Sequence, residues 1–177
     1  MVTRYRFLLA VTAVLTFAVF RGAAYAQSQP SAERGKYLVE VAGCHDCHTP
    51  YKNGQPDMTK MLMGHPQDIK VQLSKLPAPW NSAATDTNTA WMGPWGVSFS
   101  TNLTPDRTTG IGLWTEQMFM DTIRKGKHGG TGRDILPPMP WPGYAKFTDQ
   151  DLKSIYAYLK TIPAMSNKVP PPIAPSK

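Results

Sequence analysis

Between Thr49 and Trp114 the chain runs for more than sixty residues of Gly, Pro, Asn, Thr and Trp with no repeat and no sustained hydrophobic period. An ordinary connection spans roughly 4 to 6 residues, and one of this length persists in a compact domain only where a function or a ligand orders it. With 17 prolines and 14 glycines among 177 residues, and few long apolar runs, the rest of the chain has little helix or strand with which to bury a core. Something other than side chains is expected to fill the centre. The long stretch is read as an ordered wrap with one short helix near Met58 to Met63.

The amino terminus sets the compartment. MVTRYR is followed by an apolar-rich run from Phe7 to Phe20 and by Ala24-Tyr25-Ala26, the order of a secretory signal, with cleavage expected before Gln27. The run is shorter than the roughly 20 residues of a membrane-spanning helix, so the mature form is expected to have no membrane span; retention as an uncleaved anchor is the alternative. Removing residues 1–26 takes away Arg4, Arg6 and Arg21 and no acid, so the formal charge falls from +7 to +4. Nothing in that balance demands nucleic acid. The basic residues are scattered except for Arg124, Lys125, Lys127 and Arg133 with His128, and that cluster lacks interleaved aromatics. Residues 27–168 suit one domain, and the proline-rich residues 169–177, including VPPPIAPS, read as an extended or disordered tail.

Three segments read as helices. The first runs from about Ala32 to Ala42, capped by Ser31, with Glu33 in its first turn and Gly43 to stop it. The second follows Thr115, with Phe119 and Ile123 and either Met118 or Met120 on its buried side, and Arg124 and Lys125 at its negative end before Gly126. The third opens with Thr148 and Asp151 and places Leu152, Ile155, Tyr156 and Leu159 at i, i+3, i+4 and i+7 before Pro163.

Both cysteines and two of the four histidines fall in CHDCH, Cys44 to His48. A redox-active dithiol would open a helix inside a strand-rich unit, whereas here a helix precedes the cysteines and no strand pattern surrounds them. A zinc site would want a second ligand pair, and His65 and His128 stand alone. A simple disulfide remains compatible with export. The directional spacing C-x-x-C-H is the attachment signature of c-type haem. Two thiols three apart reach two vinyl groups along one porphyrin edge, and the next imidazole arrives beneath the iron. On that reading one haem c is covalently bound through Cys44 and Cys47, with His48 as proximal ligand, and export to the periplasm fits, because bacteria attach such haem beyond the inner membrane. His45 fills a variable position.

For the other face of the iron Met139 is the strongest candidate, since LPPMPWPGY holds its thioether in a proline-stiffened segment at little entropic cost. The chain has nine methionines, most of them expected to fill core. Met58, Met61 and Met63, with His65, also allow a copper(I) thioether site or a small hydrophobic knot.

The order of helix, CHDCH, wrap, STNLTPDRTTGIGLW, TEQMFMDTIRKGKHGG and LPPMPWPGYAKFTDQDLKSIYAYLKTIP resembles bacterial monohaem cytochromes c of the class I fold. Within them it is most similar to a group sharing the TNLTPD..TGIG..T element with cytochrome subunits of periplasmic alcohol and aldehyde dehydrogenases. The resemblance covers about residues 31–168. It implies an all-α fold, three main helices wrapped round one covalently bound haem with long ordered loops. It implies Cys44 and Cys47 as attachment residues, and His48 and Met139 as the axial ligands. It also implies that the first and last helices cross, with Gly35 allowing the close approach and Tyr156 packing there. Asn102 and Thr104 would run near the haem and help bury its propionates. Trp141 and Tyr144 would line the pocket or pack the core. A single C-x-x-C-H excludes a multihaem wire, and the wrap, with Trp80, Trp91 and Trp95, is longer than in small mitochondrial-type relatives.

Six-coordinate His/Met iron has no open position for a substrate, and methionine raises its potential. The expectation is therefore a periplasmic single-electron carrier, not an enzyme, working alone or as the haem subunit of a respiratory dehydrogenase or oxidase chain. Its partners would be a redox donor and acceptor, among them a periplasmic dehydrogenase or terminal oxidase. Arg124, Lys125, Lys127 and Arg133 would steer an acidic partner, or form a solvated helix end. The rival is a five-coordinate haem, a gas sensor or peroxidase-like enzyme, which would need His65 or His128 over the iron for peroxide cleavage.

Overall fold

Ser31 opens the first helix. Its backbone is extended and its hydroxyl accepts from Arg34 N at 3.1 Å, satisfying one of the orphan amides of α1 (Ala32–Val41). Gly43, at φ +67°, turns the chain into a five-residue helix, α2 (Cys44–His48). Thr115 caps α3 (Glu116–Lys125) through Met118 N at 3.1 Å, and Gly126, at φ +64°, ends it. A one-turn helix, α4 (Trp141–Tyr144), precedes α5 (Asp149–Leu159), which Thr148 caps through Asp151 N at 3.1 Å. The computed structural model describes residues 29–175; the leader and its cleavage site lie outside them. No described helix is long and apolar enough to cross a membrane.

The three long helices stand where capping and periodicity put them, and their apolar sides meet. Leu38 and Val39 of α1, Phe119, Met120 and Ile123 of α3, and Leu152, Ile155 and Leu159 of α5 form one buried cluster with Leu62, Ile111 and Ile162. Met120 is the buried methionine of α3; Met118 is exposed. α1 crosses α5 at Gly35, where a Cβ would lie 1.9 Å from the Ser154 carbonyl oxygen and 2.8 Å from Tyr158 Cβ. Ser154 Oγ accepts from Ser31 N at 3.1 Å and donates to Gln150 O at 2.7 Å, so the start of α1 is tied to the same point.

The aromatic at this crossing is Tyr158, not the expected Tyr156. Two residues on a helix differ by about 200° around its axis, so the neighbours face opposite ways. Tyr156 turns towards α3, its ring 5.8 Å from Phe119 and its hydroxyl donating to Trp114 O at 2.7 Å.

Helices and loops alone do not describe the wrap. The expected short helix is a single 3-10 turn, Met58–Lys60, beside a small hairpin of β1 (Tyr51–Lys52) and β2 (Gln55–Pro56). A second, antiparallel sheet has the order β3 (Ala83–Ala84), β4 (Ala90–Gly93), β5 (Gly96–Phe99), with Met92 opposite Val97 and Gly93 opposite Gly96. Strands of two to four residues are too short to print an alternation, and the marks the sequence carries are turn residues, Asn53-Gly54 at φ +54° and +75° between β1 and β2 and Gly93-Pro94 at the end of β4. Of the two readings of the tail, extended is the one seen over residues 169–175. Val97 N donates to Ile173 O at 2.8 Å and Ile173 N to Val97 O at 2.9 Å, which covers the free edge of β5. Gly96, at φ +93°, admits this contact, since a Cβ there would lie 2.0 Å from Ile173 O.

Buried polar side chains take over where regular structure stops. Asn102 Oδ1 accepts from Thr104 N at 2.9 Å and Thr104 Oγ1 at 2.7 Å, while its Nδ2 donates to Met165 O at 2.7 Å. Asn167 Nδ2 donates to Met63 O at 2.7 Å and His65 O at 2.9 Å. Asp106 Oδ1 accepts from the amides and hydroxyls of Thr108 and Thr109, between 2.7 and 3.1 Å, and these bonds hold its pKa down to about 2.

Two stability outcomes follow from this geometry. In an exposed helix Gly→Ala would stabilise by about 1 kcal/mol. At Gly35 the clash is with backbone, so Gly35→Ala is expected to destabilise the haem-loaded protein by about 1–3 kcal/mol or more, read as a lower denaturant midpoint; a raised midpoint would refute the crossing. Because the Asp106 pKa lies below the ordinary carboxylate value, its stabilisation is complete above about pH 4 and is lost as pH falls towards 2. Asp106→Asn should therefore lower the midpoint at neutral pH, and the gap to the parent should close on acidification. A gap independent of pH would show that the carboxylate charge contributes nothing.

Candidate functional site

Cys44, Cys47 and His48 occupy i, i+3 and i+4 of α2, which puts them on one side of the helix, and all three line a single cavity. The start of α2 depends on Gly43, where a Cβ would lie 2.7 Å from Asp46 Oδ2. The wrap clamps the motif through its main chain. Ser100 Oγ donates to Cys47 O at 2.5 Å, Gly64 N to His48 O at 2.9 Å and Asn88 Nδ2 to Asp46 O at 2.7 Å.

His48 is buried, and its Nδ1 lies 2.8 Å from Thr101 O. A carbonyl only accepts, so Nδ1 carries the proton and Nε2 keeps a free lone pair. Burial lowers the His48 pKa, against the hydrogen bond to Thr101, and keeps the imidazole neutral, the form that ligates a metal. The thiols behave differently from those of a reactive dithiol. Burial, then the neighbouring Cys47, pushes Cys44 up to about 12, and burial also raises Cys47, whereas an attacking thiol needs a depressed pKa. The two are not joined in a disulfide.

The segment from Ile135 to Pro140 supplies another wall, with Met139 among its lining residues. Ile135 N donates to Gly126 O at 2.8 Å and Ser98 Oγ to Pro137 O at 2.5 Å, so the end of α3 and strand β5 hold that segment. Tyr144 lines the cavity too and donates from its hydroxyl to Ala42 O at 2.6 Å. The space spans about 1250 Å³ out to its open mouth, and its walls are mainly apolar. Arg133 is the one fully charged residue lining it, and among the described residues no carboxylate does.

Several side chains expected at the site lie elsewhere. Thr101 and Leu103 line the cavity, whereas Asn102 and Thr104 are turned into the polar knot with Met165, because successive residues of extended chain face opposite ways. Trp141 packs against the αL turn at Gly126, where a Cβ would meet its ring at 2.4 Å. Within the methionine group of the wrap, Met58 is 55% exposed and Met61 packs against the helix cluster. His65 Nε2 lies 3.1 Å from Ile69 O and so carries the proton, and Nδ1, 2.9 Å from Thr89 Oγ1, accepts, which leaves no lone pair for copper.

The basic cluster is largely neutralised within the fold. Arg124 donates to Ala145 O and pairs with Asp149 at 2.6 Å, Lys125 with Asp121 at 3.0 Å, and Lys127 with Asp134 at 2.5 Å. Arg133 has no ion pair among the described residues. His128 also lines the cavity, edge-on to Trp114 with ring centroids 5.2 Å apart. Sequence reasoning missed Trp91, Ser98 and Phe99 of the small sheet and Pro172 of the tail, which all line the cavity. Only the long unexplained wrap hinted at them.

Two thiols and an imidazole on one helix turn, a thioether, apolar walls and one cation suit a flat apolar macrocycle with iron at its centre and acidic substituents. Comparisons with known proteins agree. The family model described as Cytochrome c matches residues 32–163. A fructose dehydrogenase cytochrome subunit from Gluconobacter japonicus is 34% identical over 75% of this chain and 21% of its own length. A gluconate 2-dehydrogenase cytochrome c subunit from Pantoea cypripedii is 34% identical over 71% of this chain and 22% of its own. The cytochrome c subunit of a quinone alcohol dehydrogenase from Gluconobacter oxydans is 31% identical over 89% and 28%. The chain thus spans about a quarter of the length of these curated relatives. With that match over most of its length, and with a cavity built from CHDCH, the chain belongs to the cytochrome c family and has covalently bound haem c as its cofactor.

Proposed function

We propose that this protein is a periplasmic single-electron carrier with one haem, tethered by Cys44 and Cys47 and ligated by His48 and Met139. The observation that carries this reading is the convergence of those four side chains on one largely apolar cavity. Haem iron held by imidazole and thioether supplies reversible one-electron transfer at a raised potential.

The residues around it have separate tasks. The bond from His48 Nδ1 to Thr101 O fixes the tautomer and ring plane, so that Nε2 is the ligating atom, and it makes that nitrogen a better donor. The Ile135–Pro140 segment, tied to Gly126 and Ser98, presents the Met139 thioether from a stiff frame. Phe99, Phe119, Leu152 and Ile155 among the lining residues exclude water, and a low dielectric around the iron favours the less charged, reduced form.

The names of the relatives support a dehydrogenase as the donor, with this chain corresponding to about one quarter of a longer cytochrome subunit. The leader-like residues 1–26 support delivery to the periplasm.

The test is the absorption spectrum of the oxidised, periplasm-expressed protein beside that of Met139→Ala. The parent should show the weak far-red band of methionine on ferric haem and bind carbon monoxide poorly when reduced. Met139→Ala should lose the band, bind carbon monoxide readily, and fall in midpoint potential by a sizeable part of the roughly 0.8 V that axial ligands command. A parent that lacks the band and binds carbon monoxide would make the iron open, and the gas sensor or peroxidase-like enzyme would replace the carrier.

A further inference from the structure

Next to the cavity lies a second cleft, which spans about 1160 Å³ out to its open mouth, between the loop from Thr101 to Trp114 and the segment from Lys168 to Pro171. Thr101, Trp114, His128 and Arg133 line both spaces, so one wall of side chains separates the cleft from the cofactor cavity. Cys44, Cys47 and Met139 line only the cavity.

Three permanent positive charges line the cleft, Arg107, Arg133 and Lys168, and among the described residues no carboxylate lines it. None of the three has an ion pair among the described residues, in contrast to Arg124, Lys125 and Lys127. Among the described residues the one guanidinium bond at the cleft runs from Arg133 Nη1 to Asp134 O at 3.0 Å, and Asp134 itself pairs with Lys127. Asp106, next to Arg107, has its carboxylate closed on Thr108 and Thr109. Leu113, 63% exposed, adds an apolar contact at the rim.

A cleft lined by one sign of charge focuses the field and raises the local concentration of the opposite charge. We propose that it is the docking seat for an acidic segment of the redox partner, whose carboxylates pair with Arg107 and Lys168 one side-chain wall from the cofactor, Arg133 in that shared wall being left to the cofactor's own acidic substituents. This rests on the electron-carrier reading and places the partner on a different surface from the Arg124 to Lys127 cluster. The pairing is electrostatic, so it fixes orientation and on-rate more than affinity.

The experiment uses the oxidised haem-loaded protein and a hexaglutamate peptide, followed by calorimetry and by amide chemical shifts. The parent should bind one peptide, with shifts confined to the 101–114 loop and residues 168–171, and binding should weaken as salt shortens the screening length below about 10 Å. Arg107→Gln with Lys168→Gln should weaken binding by about tenfold, while a Lys36→Gln and Lys146→Gln control does not. The far-red band and midpoint potential should stay unchanged in both. No binding by the parent, or equal binding by the cleft variant, overturns the proposal. A midpoint potential that shifts in the cleft variant also overturns it, because the cations would then serve carboxylates carried by the haem. Peptide binding is read without electron transfer, so a parent that binds at the cleft yet lacks the far-red band would sink the ligation reading alone.

Discussion

Where α1, α3 and α5 converge, Val39, Phe119, Ile123, Leu152 and Ile155 line open space as well as one another. An unfilled apolar cavity costs on the order of 24 cal/mol per Å³ of residual volume, so helices of ten or eleven residues cannot carry a hollow of this kind unaided. A covalently bound haem turns the deficit into a core. The remaining features of the fold either frame that space, as the Gly35 crossing does by fixing α1 on α5, or wall it, as the residue 135–140 segment does.

The long wrap is explained by the same requirement. Three helices enclose only part of a flat group; the rest of the wall comes from Trp91, Ser98 and Phe99 of β4 and β5 and from Pro172 behind them. Short strands suffice because each pairs with its sequence neighbour and Ile173 covers the outer edge of β5, and the irregular segments between them satisfy their backbone through Asn102, Thr104, Asp106 and Asn167. These asparagines and threonines do for the loops what helix ladders do elsewhere.

Local signals were legible in the sequence, and pairings over distance were not. Ser31, Thr115 and Thr148 announced their helices because capping involves residues three apart. CHDCH was readable for the same reason, and Met139 stood out because its prolines did; all four of those residues line the same cavity. Asn102 and Thr104 were placed at the cofactor from a motif that spans both faces of an extended segment, and the pleat gave that role to Thr101 and Leu103. The basic cluster looked free because Asp149, the partner of Arg124, lies on another helix. Arg133 stood within that cluster, but its exemption from pairing needs the fold to be seen.

The order of these parts along the chain has its own meaning. The two thiols of CHDCH lie on α2 near the amino-terminal end of the described fold, whereas the bridge between Val97 and Ile173 joins residues far apart in sequence and holds Pro172 at the cavity from the other end. The crossing of α1 and α5, which brings Gly35 to Ser154, joins residues farther apart still, and each such contact requires a long intervening loop to be closed first. The CHDCH turn, built from neighbouring residues, is therefore presented before either closure is complete, and a bulky rigid group enters an unfinished vessel rather than forcing a finished one.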